Sequence, residues 1–248
     1  MTDHPVTRLC RHQADRIHYR DRDLVGDLLG RVGFVEVMFA QVLGRVPNTD
    51  ETALIDAVLV TLMEHGMTPS AITARLIYMS APESLQGAVA AGLQGVGGQF
   101  IGTMEDCGRL LTDIARQGPD RAAAIVAEHR AAGRPVPGFG HHLHKPDDPR
   151  AVALLALARE RGVAGAFQDA LERLAGAVDA LGGRHVTINA TGAVAAILGD
   201  LGVPAAAMRG FAVVARAAGL VAHVLEEQEH PTGRFIWDLV DKAIPFAE

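Results

Sequence analysis

Pro137-Gly138-Phe139-Gly140-His141-His142-Leu143-His144-Lys145-Pro146-Asp147-Asp148-Pro149-Arg150 decides how the rest of the chain is read. Asp148 is a good helix N-cap, and Pro149 suits the first helical position, where no N–H is needed. Ala151 to Ala158 then propagates a helix as far as Gly162. Arg150 therefore falls in the first turn, where its charge opposes the helix dipole by about 0.3–1 kcal/mol. The same helix end, with its free N–H groups, is a natural anion site. Upstream, Gly138 and Gly140 let backbone approach a ligand closely. His141 adds an acid/base-capable imidazole and Lys145 a phosphate-seeking ammonium. Two readings fit these residues: a ligand loop, or an ordinary Gly-rich turn before a surface helix with a solvated arginine.

Gly138-Phe139-Gly140-His141, followed after a fixed gap by Asp148-Pro149-Arg150, resembles the signature loop of the citrate synthase superfamily. That superfamily includes the short bacterial citryl-CoA lyases and the citryl-CoA lyase module of ATP-citrate lyase. The resemblance implies that the main chain of Pro137, Gly138, Phe139 and Gly140, with Lys145, holds coenzyme A. It also implies that His141 holds the ketone or alkoxide oxygen and Arg150 a substrate carboxylate.

Other segments repeat the resemblance in the same order, from about residue 24 to 240. His65, Ser70, Thr73 and Arg75 keep the spacing of a family turn whose His binds the substrate dicarboxylate. Taken alone, His65 reads equally as a helix-end histidine beside the C-terminal dipole. Arg209, Arg216 and His223 lie seven apart on one long amphipathic helix after Pro204, which alone describes a solvated stripe. The family pattern instead gives Arg216 a substrate carboxylate. Arg234, three residues before Trp237, matches an arginine that closes the site from a neighbouring subunit.

Two positions depart from citrate synthases. Phe100 stands where they carry the histidine that polarises the acetyl thioester carbonyl; the lyase module also has Phe there. Thr191 stands where the family has its general-base aspartate, and a hydroxyl cannot replace a carboxylate as base near neutral pH. His142, His144 and Glu105 are the remaining proton-transfer candidates. The expected catalytic set is His141, Thr191 and His65. The expected substrate-binding set is His65, Arg150, Arg216, Arg234 and Phe100.

Composition agrees with a helical protein: 49% hydrophobic but only 4% aromatic residues, with long Ala/Leu-rich runs, favour close helix packing over sheets. A net charge of −6 argues against nucleic acid as a partner. Two cysteines, Cys10 and Cys107, are too few for a disulfide framework. No signal-peptide pattern is visible, so a cytoplasmic location is expected. No uninterrupted apolar run approaches the roughly 20 residues that span a bilayer, so no membrane association is expected. No metal is expected either, because His141, His142 and His144 fall in a Gly/Pro loop without cysteine support.

Residues 1–24 read as a charged hairpin or arm, 24–43 as a helical face interrupted near Gly33, and Ala53–Met63 as a buried helix capped by Thr49 or Asp50. Ser84–Leu93 is a small-residue helix that the resemblance places in a dimer core. Residues 104–135 read as helical, Gln168–Leu181 as a helix, and Ala190–Leu198 as an Ala-rich helix. The expected fold is all-α, citrate synthase-like, with two subdomains. A large one is built from 1–103 and 196–248, a small one from 104–195, and the site lies between them. The leading function is a citryl-CoA lyase-like enzyme joining or separating acetyl-CoA and a 2-oxo acid such as oxaloacetate, as a homodimer or dimer of dimers. Thr191 and Phe100 keep two alternatives open: another CoA-thioester reaction such as hydrolysis, and a non-catalytic CoA-ester binding protein.

Overall fold

The computed structural model describes residues 4–247; positions 1–3 of the expected arm and 248 of the returning subdomain lie outside the described residues. The arm is a three-stranded antiparallel meander, β1 (Cys10–His12), β2 (Ile17–Tyr19) and β3 (Arg22–Asp23). Cys10 pairs with Tyr19, and His18 with Asp23. One π-helical turn, Leu24–Leu28, follows, and α1 (Phe34–Leu43) starts only after Gly33, so the expected 24–43 face is broken into two pieces.

Eleven α-helices make up the rest of the described residues. α2 (Thr49–Met63) is capped by Asn48, not by Thr49 or Asp50. Asn48 accepts from the Glu51 N–H at 2.9 Å while Glu51 reaches back to the Asn48 N–H at 2.8 Å. This reciprocal capping box satisfies two orphan donors, which neither neighbouring residue achieves. α3 (Pro69–Ser80) starts at Thr68 with Pro69 in its first turn, and α4 (Leu85–Gln94) packs along α3 and along the long helix that follows Pro204. The expected 104–135 helix is two, α5 (Thr103–Gln117) and α6 (Asp120–Ala131), because Gly118-Pro119 separates them. α7 (Pro149–Glu160), α8 (Ala166–Gly182), α9 (Ala190–Asp200) and α10 (Ala205–Glu229) follow. The last stretch of the returning 196–248 segment, expected as a C-terminal arm, is a helix, α11 (Gly233–Ala243).

Burial follows the small-residue pattern. α9 runs through the centre with Ala193 to Leu198 all buried, and one core extends from Phe39 through Leu54, Leu111 and Leu171 to Ala215. That core crosses both expected subdomain boundaries. α10 is long and apolar enough to pass for a membrane span, but it carries buried Arg216, His223 and Glu227 and packs against α2, α3, α4 and α5. It is a core helix whose Arg216, His223 and Glu227 point inward, the opposite of a solvated stripe.

Candidate active site

A cleft of about 1200 Å³ collects residues from far apart in the chain: Glu64 and His65 after α2, Phe100 to Thr103 before α5, Pro137 to Leu143, Arg150, Asn189 to Thr191, and Arg216. The signature loop reaches it because two backbones touch. Gly138 has φ +90°, and a Cβ there would meet Cys107 Sγ at 2.6 Å and Gly192 Cα at 3.0 Å. The approach is sealed by hydrogen bonds from the Asn189 N–H to Gly138 O and from the Gly140 N–H to Thr187 O. Only glycine permits both the backbone angle and the contact.

Asp148, fully buried, does more than cap α7. It accepts from the Arg150 N–H at 3.0 Å, from Arg150 Nε at 3.0 Å and Nη2 at 2.8 Å, and from the Ala190 N–H at 3.2 Å. Burial alone would raise the Asp148 carboxyl, but the Arg150 hydrogen bonds and charge outweigh it and hold the group below the usual carboxylate range. One consequence corrects the sequence reading: Arg150 does not oppose its helix dipole unaided, because its counter-ion sits two residues away. Another is that the Nε–Nη2 edge is already committed to Asp148, so only the Nη1–Nη2 edge of Arg150 is left for a ligand.

His141 is fixed as a donor. Its Nδ1 accepts the Leu143 and His144 N–H groups, each at 3.1 Å, so in the neutral ring the proton sits on Nε2. Nε2 lies 3.4 Å from Arg150 Nη2. Two donors that face each other there make a seat for an oxygen carrying negative charge. Burial first, then the neighbouring His144 and Arg150, lower the His141 pKa; burial and Arg150 lower that of His65. Both imidazoles are therefore neutral near neutral pH.

His65, His141 and His144 have ring nitrogens within 4.8 Å of one another, a three-imidazole cluster that the loop alone did not reveal. A cation on His141 would have to take either Nδ1, already facing two N–H donors, or Nε2, facing an arginine. The donor set fits an oxygen better than a metal.

Arg216 is the strongest anion receptor in the cleft. It is 2% exposed, and its Nε and Nη1 find no hydrogen-bond partner among the described residues. Its nearest carboxylate, Glu64 Oε2, stands 3.9 Å from Nη1, too far for a hydrogen bond. A buried guanidinium left open in this way is costly unless a ligand completes it.

The rest of the lining is mixed, with Asp106, Arg109 and Arg134 beside apolar and neutral residues. Phe100 is 63% exposed and lines the wall. Thr191 donates to Asn189 Oδ1 at 2.7 Å and lies 2.9 Å from Thr103 Oγ1, while Asn189 Nδ2 donates to Gly140 O at 3.0 Å. The Thr191 hydroxyl is thus a spent donor inside a small network. Of the proton-transfer candidates, His142 lines the cleft and stacks on His141 at 4.6 Å, and His144 stacks on its other side at 4.3 Å. Glu105 is outside the lining and is held by Arg109 and by Arg209.

Two expected site residues are not in this cleft. Lys145 lies beyond its lining, before a cis Lys145–Pro146 bond. Arg234 is on α11, paired with Asp238 at 3.0 Å and stacked on Trp237. Sequence reasoning missed Glu64, Asn189, Thr103 and the grip of Asp148 on Arg150. Of these, only the Asp-x-Arg spacing left a readable signal.

Comparison with known proteins agrees with the geometry. "Putative citrate synthase 2" of Mycobacterium tuberculosis is 30% identical over 191 residues, 73% of this chain and 49% of its own length. The chain thus spans about half the length of the curated relatives it matches. Citryl-CoA lyase from Hydrogenobacter thermophilus superposes with a TM-score of 0.84 at 31% identity, covering 91% of this chain and 87% of that one. ATP citrate lyase from Methanothrix soehngenii, in complex with citrate and coenzyme A, shares the fold with a TM-score of 0.81 at 18% identity; it covers 100% of this chain and 42% of its own. The description "Citrate synthase, C-terminal domain" matches residues 6–237, and this chain belongs to the citrate synthase family.

Proposed function

We propose that the cleft binds a CoA thioester beside a small di- or tricarboxylate and makes or breaks a carbon–carbon bond between them, as a citryl-CoA lyase does. The observation that carries this reading is the open, buried Arg216 beside the His141–Arg150 oxygen seat. The 31% identity to a citryl-CoA lyase over most of both chains supports it.

In the lytic direction the substrate hydroxyl loses its proton and becomes the ketone of oxaloacetate. The bonding pair of the broken C–C bond moves onto the CoA α-carbon as an enolate, which takes up a proton to give acetyl-CoA. His141 Nε2–H and Arg150 stabilise the charge on the oxygen in either direction. Arg216 receives a carboxylate with charge-assisted hydrogen bonds, and His65 supplements it. The main chain of Pro137 to Gly140 faces the CoA, with Lys145 reaching from outside the cleft. His142, lining the cleft without an acidic partner among the described residues, carries the proton in this reading. A second copy of the chain completes the assembly, covering Phe235, Trp237 and Leu239 of α11 and bringing in Arg234; the exposure of those apolar side chains supports this.

Purified protein should release oxaloacetate from citryl-CoA, and His141→Ala should slow that release by about 10²–10³-fold, the range for losing one oxyanion donor. Free thiol without oxo acid would replace the reading with thioester hydrolysis. CoA-ester binding without either product would replace it with a binding protein, the alternative that the spent Thr191 hydroxyl favours.

A further inference from the structure

Glu64 is the first residue after α2, and its side chain folds back over the turn it starts. Its Oε1 accepts the His65 N–H at 2.8 Å and the Gly66 N–H at 2.5 Å. Its Oε2 lies 3.0 Å from His223 Nε2 and 3.9 Å from Arg216 Nη1. One carboxylate therefore touches the backbone of one cleft histidine and faces the cleft's buried arginine.

The contact is built by a close helix crossing. At Gly219 a Cβ would stand 2.2 Å from Met63 O and 3.1 Å from Glu64 Oε2, so α10 passes the end of α2 backbone against backbone, with the Glu64 side chain beside it. Arg216 and His223 lie three residues before and four after Gly219, on the same face of α10. Both are thereby delivered to Glu64. His223 cannot turn away: Arg75 Nε donates to its Nδ1 at 3.0 Å, and an arginine only donates. The neutral ring must then carry its proton on Nε2, facing Glu64, though off the best hydrogen-bond line. Arg75 is buried and anchored in turn by Glu227 at 2.9 Å.

We propose that Glu64 is a positioning residue, the resident counter-ion of Arg216 in the empty cleft, which holds the arginine and the His65 turn in place and competes with an incoming carboxylate. The proposal rests on the reading of Arg216 as the carboxylate anchor. Its geometry explains an ion pair that is too long to be a hydrogen bond: 3.9 Å is close enough to offset charge and too far to use up the Nε and Nη1 donors. Those donors stay open for the ligand. Burial raises the Glu64 carboxyl, but the His223 contact and the two backbone N–H groups outweigh it, so it is ionised at neutral pH and able to serve. Burial pulls the Arg216 guanidinium down and the charge of Glu64 opposes that pull.

The test measures plain anion binding, independent of any turnover, by calorimetry with malonate and with inorganic sulfate. Glu64→Gln keeps an oxygen for the two backbone N–H groups and removes the charge. It should bind malonate about two- to fivefold more tightly than wild type, the scale of a half-exposed ion pair. The gain should vanish in the double variant with Arg216→Ala, which should match Arg216→Ala alone. Equal or weaker malonate binding by Glu64→Gln would overturn the proposal, as would a gain that survives loss of Arg216. Should Glu64→Gln not fold, Glu64→Asp retracts the carboxylate by one methylene and must show a smaller gain of the same sign; none would overturn the proposal too. Malonate responses as described, with no turnover of any CoA ester, would sink the carbon–carbon reading and leave Glu64 standing.

Discussion

Two sets of residues that line the cleft are built from different materials. At the charged end, Arg216, Arg150, His65 and His141 crowd together, each oriented by a charged or backbone partner: Glu64 for the first, Asp148 for the second, the Glu64 clasp and the Leu143 and His144 N–H groups for the histidines. Phe100 and Thr191, which also line the cleft, instead offer an apolar ring and a neutral hydroxyl bonded to Asn189. The contrast teaches that the clustered charged side chains are suited to anionic oxygen, while the Thr191 position carries a neutral hydroxyl and no carboxylate.

The largest expected effect comes from abolishing that contrast. Thr191→Asp places a carboxylate beside Asn189 Oδ1, which repels it, and within reach of the Thr103 hydroxyl, which can donate to it. An aspartate so placed is a competent base. Hydrogen exchange at the acetyl-CoA methyl should rise by about 10²–10⁴-fold, the usual contribution of a general base. No exchange in either protein, despite tight CoA-ester binding, would sink the carbon–carbon reading. Fast wild-type exchange that survives Thr191→Val and dies with His142→Ala would instead confirm that the base has moved.

Much of the charged end was legible in sequence, and the reason is local. Asp148-Pro149-Arg150 writes its cap and first turn into consecutive residues, and Gly138-Phe139-Gly140-His141 writes a close backbone approach into two glycines. The helices of the core were legible from apolar periodicity, down to α9 and α10. Glu64 was not, because its partners Arg216 and His223 are brought to it only by the crossing at Gly219, and nothing near Met63 records that crossing. The α2 cap was misassigned because Asn48, Thr49 and Asp50 are all good caps and only the reach of Glu51 chooses among them. That Arg216 faces inward was undecidable from a seven-residue spacing, which fits a solvated stripe equally well.

An intermediate effect comes from weakening the charged end without emptying it. Asp148→Asn keeps a capping oxygen but removes the charge from Arg150 and turns an amide N–H2 towards either Arg150 or the Ala190 N–H. The loss of stability should be about 1–3 kcal/mol, the cost of an unsatisfied buried polar group, read by urea denaturation at neutral pH. The sign with pH follows from the lowered carboxyl. The contribution of Asp148 is complete above the ordinary value of 3.8 and is lost as pH falls through its lower folded value. Wild type and variant should therefore converge in strong acid. A difference that grows as pH falls would show that Asp148 is not the ion the geometry describes.

The smallest effect tests whether the charged end needs support from outside the cleft. His185 bridges two carboxylates, with Nδ1 2.8 Å from Asp179 near the end of α8 and Nε2 3.0 Å from Asp147, the neighbour of Asp148 in the signature loop. The Asp179 and Asp147 hydrogen bonds raise the His185 pKa. A raised histidine stabilises the fold fully below its ordinary value of 6.5 and loses that contribution as pH rises through the folded value. The bridge is open to solvent, so the effect is modest and shrinks with salt. His185→Gln should lower Tm at about pH 5.5 and leave it nearly unchanged at about pH 9, beyond the titration range of a histidine. Equal Tm values at both pH values would show that the bridge contributes nothing. A larger loss at the higher pH would mean that His185 acts as a neutral packing residue, and the loop carrying His141 and Arg150 would then be held by Asp148, the Gly138–Gly192 contact and the hydrogen bonds to Thr187 and Asn189, without a charge from His185.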